Sequence, residues 1–413
     1  MYKILWCLES LPITSKGYGG GGWITSLLNE IRKHDQFHIA IAYYSAQEKQ
    51  SYHKENITYY PISNKKLSPY SKLKSLFKDY TGWISSEKVH LIALNNIIRI
   101  YQPDIIHVWG TESDMGLIAA VTNIPVILHL QGLHNPIRNA LIPPGFSKKD
   151  FITSINAPKQ IIKNINNLNY WEYKSEREIR IFKCCKNYFG RTHFDKTISK
   201  LYSPNRKYYY CSEILREPFY ETEKWNVPND SSFKLISVIS PPLYKGGDII
   251  LKTANILKHT SQQQFEWNII GIDDLRYLEN KYNLKLSDLN IKLLGRKTAI
   301  EIKKLELESH LFIHPVYIDN SPNSICEAQM LGLPVISTNV GGIASLIKDG
   351  KTGILVPAND PFITAAKIIE LTSEQSKLKE ISANSQTVAN ERHNKTNVIN
   401  SLIQGYKSLL DKA

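Results

Sequence analysis

The stretch HPVYIDNSPNSICEAQMLGLPVISTNVGG, His314 to Gly342, decides how the rest of the chain is read. Just before it, Leu311, Phe312 and Ile313 form an apolar run that predicts a buried strand ending at Pro315. Ile325, Ala328 and Leu331 then recur at helical spacing until Gly332 stops the pattern. Ser321 is the expected N-cap and Pro322 the first helical residue, so the free backbone N–H groups belong to Asn323, Ser324 and Ile325. They point out along the positive end of the helix dipole, an arrangement that suits a phosphate. Asp319 precedes the helix and Glu327 lies in its second turn, so both carboxylates flank whatever the amides hold and are suited to accept hydroxyl hydrogens. Two acids alone read equally well as solvated surface charges. The SPNS, AQMLGLPVIST and VGG runs around them argue for a site.

Working outward, the chain has 413 residues, more than one hydrophobic core usually supports, so two domains are the default. Apolar residues at 42% and charged residues at 22% describe a globular protein, and no apolar run is long enough to span a bilayer. MYKILWCLES reads at once as a first strand rather than a signal peptide. Cys7, Cys184, Cys185, Cys211 and Cys326 show no metal-ligand spacing and fit reduced, cytoplasmic thiols.

Short apolar runs at Lys3–Leu8, Phe37–Tyr44, Ile57–Ile62, Asp104–Val108 and Pro125–Leu130 read as strands, with helical patterns at Trp23–Arg32 and Val89–Tyr101 between them. Alternation of this kind predicts a parallel sheet with helices on both faces and functional loops beyond the carboxyl ends of the strands. Leu133 to about Asn169 has no clear period and is expected to be irregular. A polar piece from Pro218 to Ser232 marks the boundary, after which strands are expected at Phe233–Ile239, Trp267–Ile270, Ile291–Leu294, Val335–Ser337 and Ile354–Val356.

The His314–Gly342 stretch resembles the donor-site motif of retaining GT-B glycosyltransferases of the family 4 (group 1) type, in the subgroup associated with bacterial polysaccharides. The resemblance implies an α/β fold with two Rossmann-like doubly wound parallel-sheet domains facing a cleft. Residues 1–217 would be the acceptor-side domain, 218–395 the nucleotide-sugar donor domain, and 396–413 a helix crossing back to the first domain. In that family the first acid contacts donor-sugar hydroxyls and the second the nucleotide ribose, roles that fall on Asp319 and Glu327. The glycine run opening the first helix, Gly20, Gly21 and Gly22, would face the cleft. Lys245 and Gly246 hold the place of a pyrophosphate-binding loop, and Gly295 closes a strand near the base.

Three departures from the family pattern cluster around the donor. Asp319 replaces a glutamate, Gln131 stands where a histidine is usual, and Ser240 stands where an arginine is expected. Arg191, Arg216 or Arg296 would then supply the missing cation. His107 and His129 read as strand histidines with internal partners. No metal or other cofactor is implied beyond the nucleotide-diphosphate sugar as co-substrate, and the acceptor implied is a glycan or polyprenyl-linked saccharide. An epimerase or phosphorylase on the same fold, and a non-catalytic nucleotide-sugar-binding module, stay open as alternatives.

The net charge of +13 asks for an anionic partner. Lys65, Lys66, Lys72, Lys74 and Lys78 interleave with Leu67, Tyr70, Leu73, Phe77 and Tyr80, and a basic segment over 65–80 of this kind suits an anionic membrane face, on the inner side of a plasma membrane. A solvated helix packing its apolar side on the core is the other reading. No nucleic-acid-binding motif accompanies the charge.

Overall fold

Period-two alternation builds the first sheet. In β1 (Tyr2–Leu8) the side chains of Ile4, Trp6 and Leu8 join one buried cluster and those of Leu5 and Cys7 another, so the strand is covered on both faces. The same holds across β2 (Phe37–Ser45), β5 (Ile105–Trp109), β6 (Val126–His129) and β7 (Asn187–Gly190), while β4 (Ile57–Ser63) is half-buried and the short β3 (Tyr52–Lys54) and β8 (Lys207–Tyr210) sit at the two edges. The strand order is β3-β4-β2-β1-β5-β6-β7-β8, parallel throughout except that β3 runs antiparallel to β4. This computed structural model describes residues 1–11, 22–48, 50–64, 68–153, 158–230, 232–240, 243–261 and 263–411.

Helices cover both faces of this sheet. They are α1 (Gly22–Ile31), α2 (Pro69–Leu76), α3 (Thr81–Tyr101), α4 (His134–Ala140), α5 (Lys148–Thr153), α6 (Pro158–Cys184) and α7 (His193–Tyr202). The expected irregular region from Leu133 to Asn169 is instead helical over α4, α5 and the first part of α6. Its Asn-rich sequence has weak intrinsic helix preference, and tertiary contacts override it: Asn169 Nδ2 donates to the Ser75 carbonyl at 2.8 Å, and Ser75 Oγ donates to Asn166 Oδ1 at 2.8 Å. The helix expected from Val89 begins eight residues earlier, at Thr81.

The second sheet holds β9 (Phe233–Val238), β10 (Phe265–Ile270), β11 (Ile291–Gly295), β12 (Leu311–His314), β13 (Val335–Thr338) and β14 (Ile354–Val356) in the order β11-β10-β9-β12-β13-β14, all parallel. Its helices are α8 (Gly247–Thr260), α9 (Arg276–Tyr282), α10 (Ala299–Leu307), α11 (Asn323–Leu331), α12 (Pro361–Ser373) and α13 (Gln375–Arg392). In both sheets the strand order reverses beside the first strand, at β1/β5 and at β9/β12. Such reversal points open a crevice at the carboxyl ends of the strands.

The last helix, α14 (Lys395–Leu410), returns to the first sheet. Val398, Ile399, Leu402 and Tyr406 join Ile4, Trp6, Trp109 and Phe189 in one buried cluster. The Tyr406 hydroxyl accepts Trp6 Nε1–H at 3.0 Å and lies 2.6 Å from His107 Nδ1. His107 in turn meets His129 Nδ1 at 3.2 Å, and burial pushes both imidazole pKa values well down, so they are neutral core groups with internal partners. Tyr406→Phe leaves two buried nitrogens without this partner and is expected to lower unfolding free energy by about 1–3 kcal/mol; an unchanged urea midpoint would remove the hydroxyl from the account of how α14 is held.

Candidate active site

The loops after β9 and β12 leave adjacent strands at the reversal point of the second sheet, which is why Lys245 and Asp319 meet although 74 positions separate them. Gly246 sets the approach. It has φ +81°, and a Cβ there would stand 1.9 Å from the Pro315 carbonyl oxygen, so no larger residue fits without moving the loop. Gly341, at φ +55°, closes the other side, where a Cβ would lie 1.9 Å from the Asp319 carbonyl oxygen. Between these two close approaches Lys245 Nζ donates to Asp319 Oδ2 at 2.6 Å, and His314 Nε2 lies 3.3 Å from the same oxygen.

The charges at this corner are fixed by those contacts. Burial alone would raise the Asp319 carboxyl, but the Lys245 ammonium and then His314 outweigh it and hold the group well below the usual carboxylate range. Burial likewise works against the Lys245 ammonium, and Asp319 more than restores it. Burial lowers His314 against the pull of Asp319.

Glu327 takes a different partner. Arg216 reaches across from the segment after β8 and donates Nε to Oε1 and Nη2 to Oε2, both at 2.6 Å. Burial raises the Glu327 carboxyl while this fork opposes it, and the fork raises the guanidinium against its own burial. The aliphatic stem of Arg216 lies beside Gly22, where a Cβ would come within 3.1 Å of it. Gly22, Arg216 and Glu327 are thus brought together, whereas Gly20 and Gly21 lie outside the described residues.

The start of α11 differs from the expectation by one position. Pro322 is the N-cap, with no side-chain capping bond, and Ser321 Oγ instead donates to Glu213 Oε1 at 3.2 Å. The Ile325 N–H bonds the Pro322 carbonyl at 3.1 Å, so it is not one of the free donors. Asn323 and Ser324 remain half-buried at the open end of the helix, in keeping with a proline cap that closes the first turn early.

Of the other residues singled out, Arg191 is buried, its Nη1 3.2 Å from Glu213 Oε2 and its guanidinium 5.0 Å from the centre of the Trp23 ring. That guanidinium is committed inside the protein. Arg296 is exposed, Ser240 is exposed just past β9, and Gly295 ends β11 with its carbonyl accepting the Gly271 N–H at 2.8 Å. Gln131 contributes through its backbone: its carbonyl accepts Asn320 Nδ2 at 2.7 Å.

Asn320 is the residue that pattern reading missed. Its amide also donates to Asp195 Oδ2 at 3.2 Å, and its Oδ1 accepts Thr192 Oγ1 at 2.6 Å, tying the Asp319 loop to the first sheet. Between two singled-out neighbours it carried no periodicity or charge signal. Glu112, at the tip of β5, is a second such group: burial pushes its carboxyl up to about 7, and its Oε1 accepts the Gly132 N–H at 3.2 Å. A buried trio of Glu213, Cys326 and His393 has the composition of metal ligands. It does not fit a cation, because His393 faces Arg392 Nε at 2.9 Å on one ring nitrogen and the Glu213 carbonyl at 2.9 Å on the other, with Arg191 also alongside.

Residues 220–388, which contain Lys245, Asp319 and Glu327, match the family model described as "Glycosyl transferases group 1". That match falls on the domain built on the second sheet. Over 164 residues the chain is 30% identical to the amylovoran biosynthesis glycosyltransferase AmsK of Erwinia amylovora, an alignment covering 37% of this chain and 40% of AmsK. The chain thus spans about two fifths of the length of the first curated relatives it matches. Among solved structures it is similar to sucrose-phosphate synthase from Thermosynechococcus elongatus, with a TM-score of 0.72 and 13% identity over 100% of both chains. It is also similar to Anabaena Alr3699/HepE in complex with UDP-glucose, with a TM-score of 0.65 and 14% identity over 99% of this chain and 100% of that one. The fold of this chain is therefore GT-B, two parallel-sheet α/β domains.

Two outcomes follow for this pair of ion contacts. Arg216→Met strands the buried Glu327 carboxylate and is expected to cost about 3 kcal/mol in denaturant unfolding, with most of the loss recovered in the Arg216→Met/Glu327→Gln double variant. For Asp319, a folded pKa below the unfolded value of about 3.9 means that its contribution is complete above that pH and is lost as pH falls through the folded value. The stability margin of wild type over Asp319→Asn should be constant from pH 5 to 8 and shrink below about pH 4; a margin that grows on acidification would refute the assignment.

Proposed function

We propose that the chain is a retaining glycosyltransferase that moves a sugar from a nucleotide-diphosphate donor to a glycan or lipid-linked glycan, in the synthesis of a surface polysaccharide. The observation that carries the reading is the paired arrangement at the start of α11, Lys245 with Asp319 and Arg216 with Glu327, within the segment that matches the group 1 family model. Two carboxylates already held ionised or hydrogen-bonded by cations offer acceptor oxygens for the hydroxyls of a sugar and a ribose. A diphosphate arriving beside them meets the Lys245 ammonium and the Asn323 and Ser324 amides, which balance the charge that builds up as the glycosidic bond breaks. The acceptor hydroxyl attacks from the face the diphosphate leaves, with the departing phosphate as its base and no protein nucleophile. The departing charge is carried by protein cations and amides, with no metal required. Relatives named for amylovoran and colanic acid biosynthesis support the polysaccharide setting, and HepE, solved with UDP-glucose, supports a nucleotide-sugar donor.

The reading includes a peripheral position on an anionic membrane at the cytoplasmic side. On α2 and the two residues that follow it, Tyr70, Leu73 and Phe77 are exposed beside Lys72, Lys74 and Lys78, the composition of a surface that lies against lipid. Lys74 and Lys78 also form ion pairs with Asp79 and Glu172, and Lys65, Lys66 and Leu67 lie outside the described residues. No helix among the described residues is long and apolar enough to cross a membrane.

A thermal-shift screen of UDP-, GDP- and ADP-sugars is expected to select one nucleotide, because a ligand that binds only the native state raises its stability by mass action. With that donor, Glu327→Ala should weaken nucleotide binding at least tenfold and Lys245→Ala should lower kcat, and donor should be consumed only when an acceptor is present. Equal turnover without acceptor would favour an epimerase or hydrolase instead.

A further inference from the structure

Outside the donor corner, the first sheet carries a cavity of about 670 Å³ between α2, α3 and α6. Asn64, just past β4, and Asp114, past β5, line it, so it opens at the carboxyl ends of the strands, the side on which this type of sheet takes ligands. Its volume lies within the range of small-molecule sites, about 300–1,000 Å³.

The lining is of two kinds. Trp83 supplies an aromatic wall with Tyr173 and Tyr170, ring centres 5.0 and 5.2 Å away. Trp83 and Tyr170 are half-buried, leaving apolar ring surface against which the C–H face of a sugar can pack while its hydroxyls stay wet. The charges are the second kind. Both lining acids are already committed: Glu87 accepts Arg180 at 2.9 and 3.0 Å, and Asp114 accepts Tyr44 Oη and lies 2.9 Å from His90 Nδ1. Three of the lining cations are not. Among the described residues Lys72, Lys159 and Lys163 have no acidic partner at ion-pair distance, while the buried Arg177 gives its Nη2 to the Glu112 carbonyl and has no partner for its Nε. Unpaired positive charge beside aromatic faces is left over once the protein's own acids are accounted for.

We infer that this cavity binds a saccharide carrying a negatively charged group, a phosphate or a carboxylate, with the ring on Trp83 and the anion among Lys72, Lys159, Lys163 and Arg177. The inference rests on the transferase reading in one respect, that such a saccharide is the acceptor. A chain of contacts joins the cavity to the donor corner: Arg177 Nη2 donates to the Glu112 carbonyl at 2.6 Å, Glu112 accepts the Gly132 N–H, and the adjoining Gln131 carbonyl accepts Asn320. Lys72 and Ser75 face the cavity from α2, whose other side exposes Tyr70, Leu73 and Phe77. An acceptor held on a lipid by a phosphate would enter from that side.

The test is isothermal titration of the full chain with glucose 1-phosphate, methyl glucuronoside and methyl glucoside, each with the donor site first filled by the nucleotide that the thermal-shift screen selects. An anionic probe should bind at least tenfold more tightly than methyl glucoside. The exposed-residue variant Lys159→Ala/Lys163→Ala should lose at least tenfold of that affinity while nucleotide binding is unchanged, and Trp83→Leu should weaken every probe. Tight binding of glucose 1-phosphate alone assigns a phosphate-linked saccharide, and of the glucuronoside alone an acidic sugar. Equal binding of the neutral probe, or no effect of the lysine changes, overturns the inference. Anionic probes that bind a chain with no affinity for any nucleotide would uphold the cavity and refute the transferase reading.

Discussion

A carboxamide between two sheets has few ways to be satisfied once it is buried, and Asn320 uses both its N–H groups and its oxygen at once. Its amide reaches the Gln131 carbonyl and Asp195, and its oxygen takes the Thr192 hydroxyl, every one of these partners belonging to the first sheet's side. Leaving any of them unpaired costs about 1–3 kcal/mol, so the loop after β12 has one low-energy seat. The residues on either side inherit that seat. Asp319 is turned toward Lys245 and His314, and Ser321 toward Glu213. The corner at Asp319 is thus shaped as much by the domain it faces as by the sheet that carries it.

Strands were legible wherever burial on both faces forced a continuous apolar run, as in Lys3–Leu8 and Leu311–Ile313, and their ends fell within a residue or two of the structure. Asp319 and Glu327 were singled out because their spacing repeats a known motif around a helix start, and Lys245 because its loop keeps the resembled register; the structure sets Lys245 against Asp319 and Arg216 against Glu327. What could not be read was whatever long-range contacts decide. The Asn-rich beginning of α6 has no period of its own and is held by α2, and the edge strand β3 is too short to show a pattern. Pro322 is the cap in place of Ser321, whose hydroxyl goes to Glu213, a partner 108 positions away that no local pattern shows. Asn320 itself is one polar residue among several until its partners are known.

The electrostatics of the cleft follow one scheme. Asp319, Glu327 and Glu213, three acids that burial alone would neutralise, each face a cation, and each pair joins segments far apart in the chain. Arg191 is consumed in this way, which leaves Lys245 and Arg216 as the cations that also border open space. These cations are held in position before any ligand arrives, so an anion that binds there has no flexible side chain to order.

The return of α14 to the first sheet has a consequence for biogenesis. Trp6 and Tyr406 are 400 positions apart yet share a hydrogen bond in one core. The first domain therefore lacks part of its interior until α14 has left the ribosome, and a chain without α14 would expose the apolar face of β1 and β5. Closing a loop of that length slows folding more than it weakens the folded state. The second domain, whose strands and helices are contiguous in sequence, can fold while the first still waits for α14.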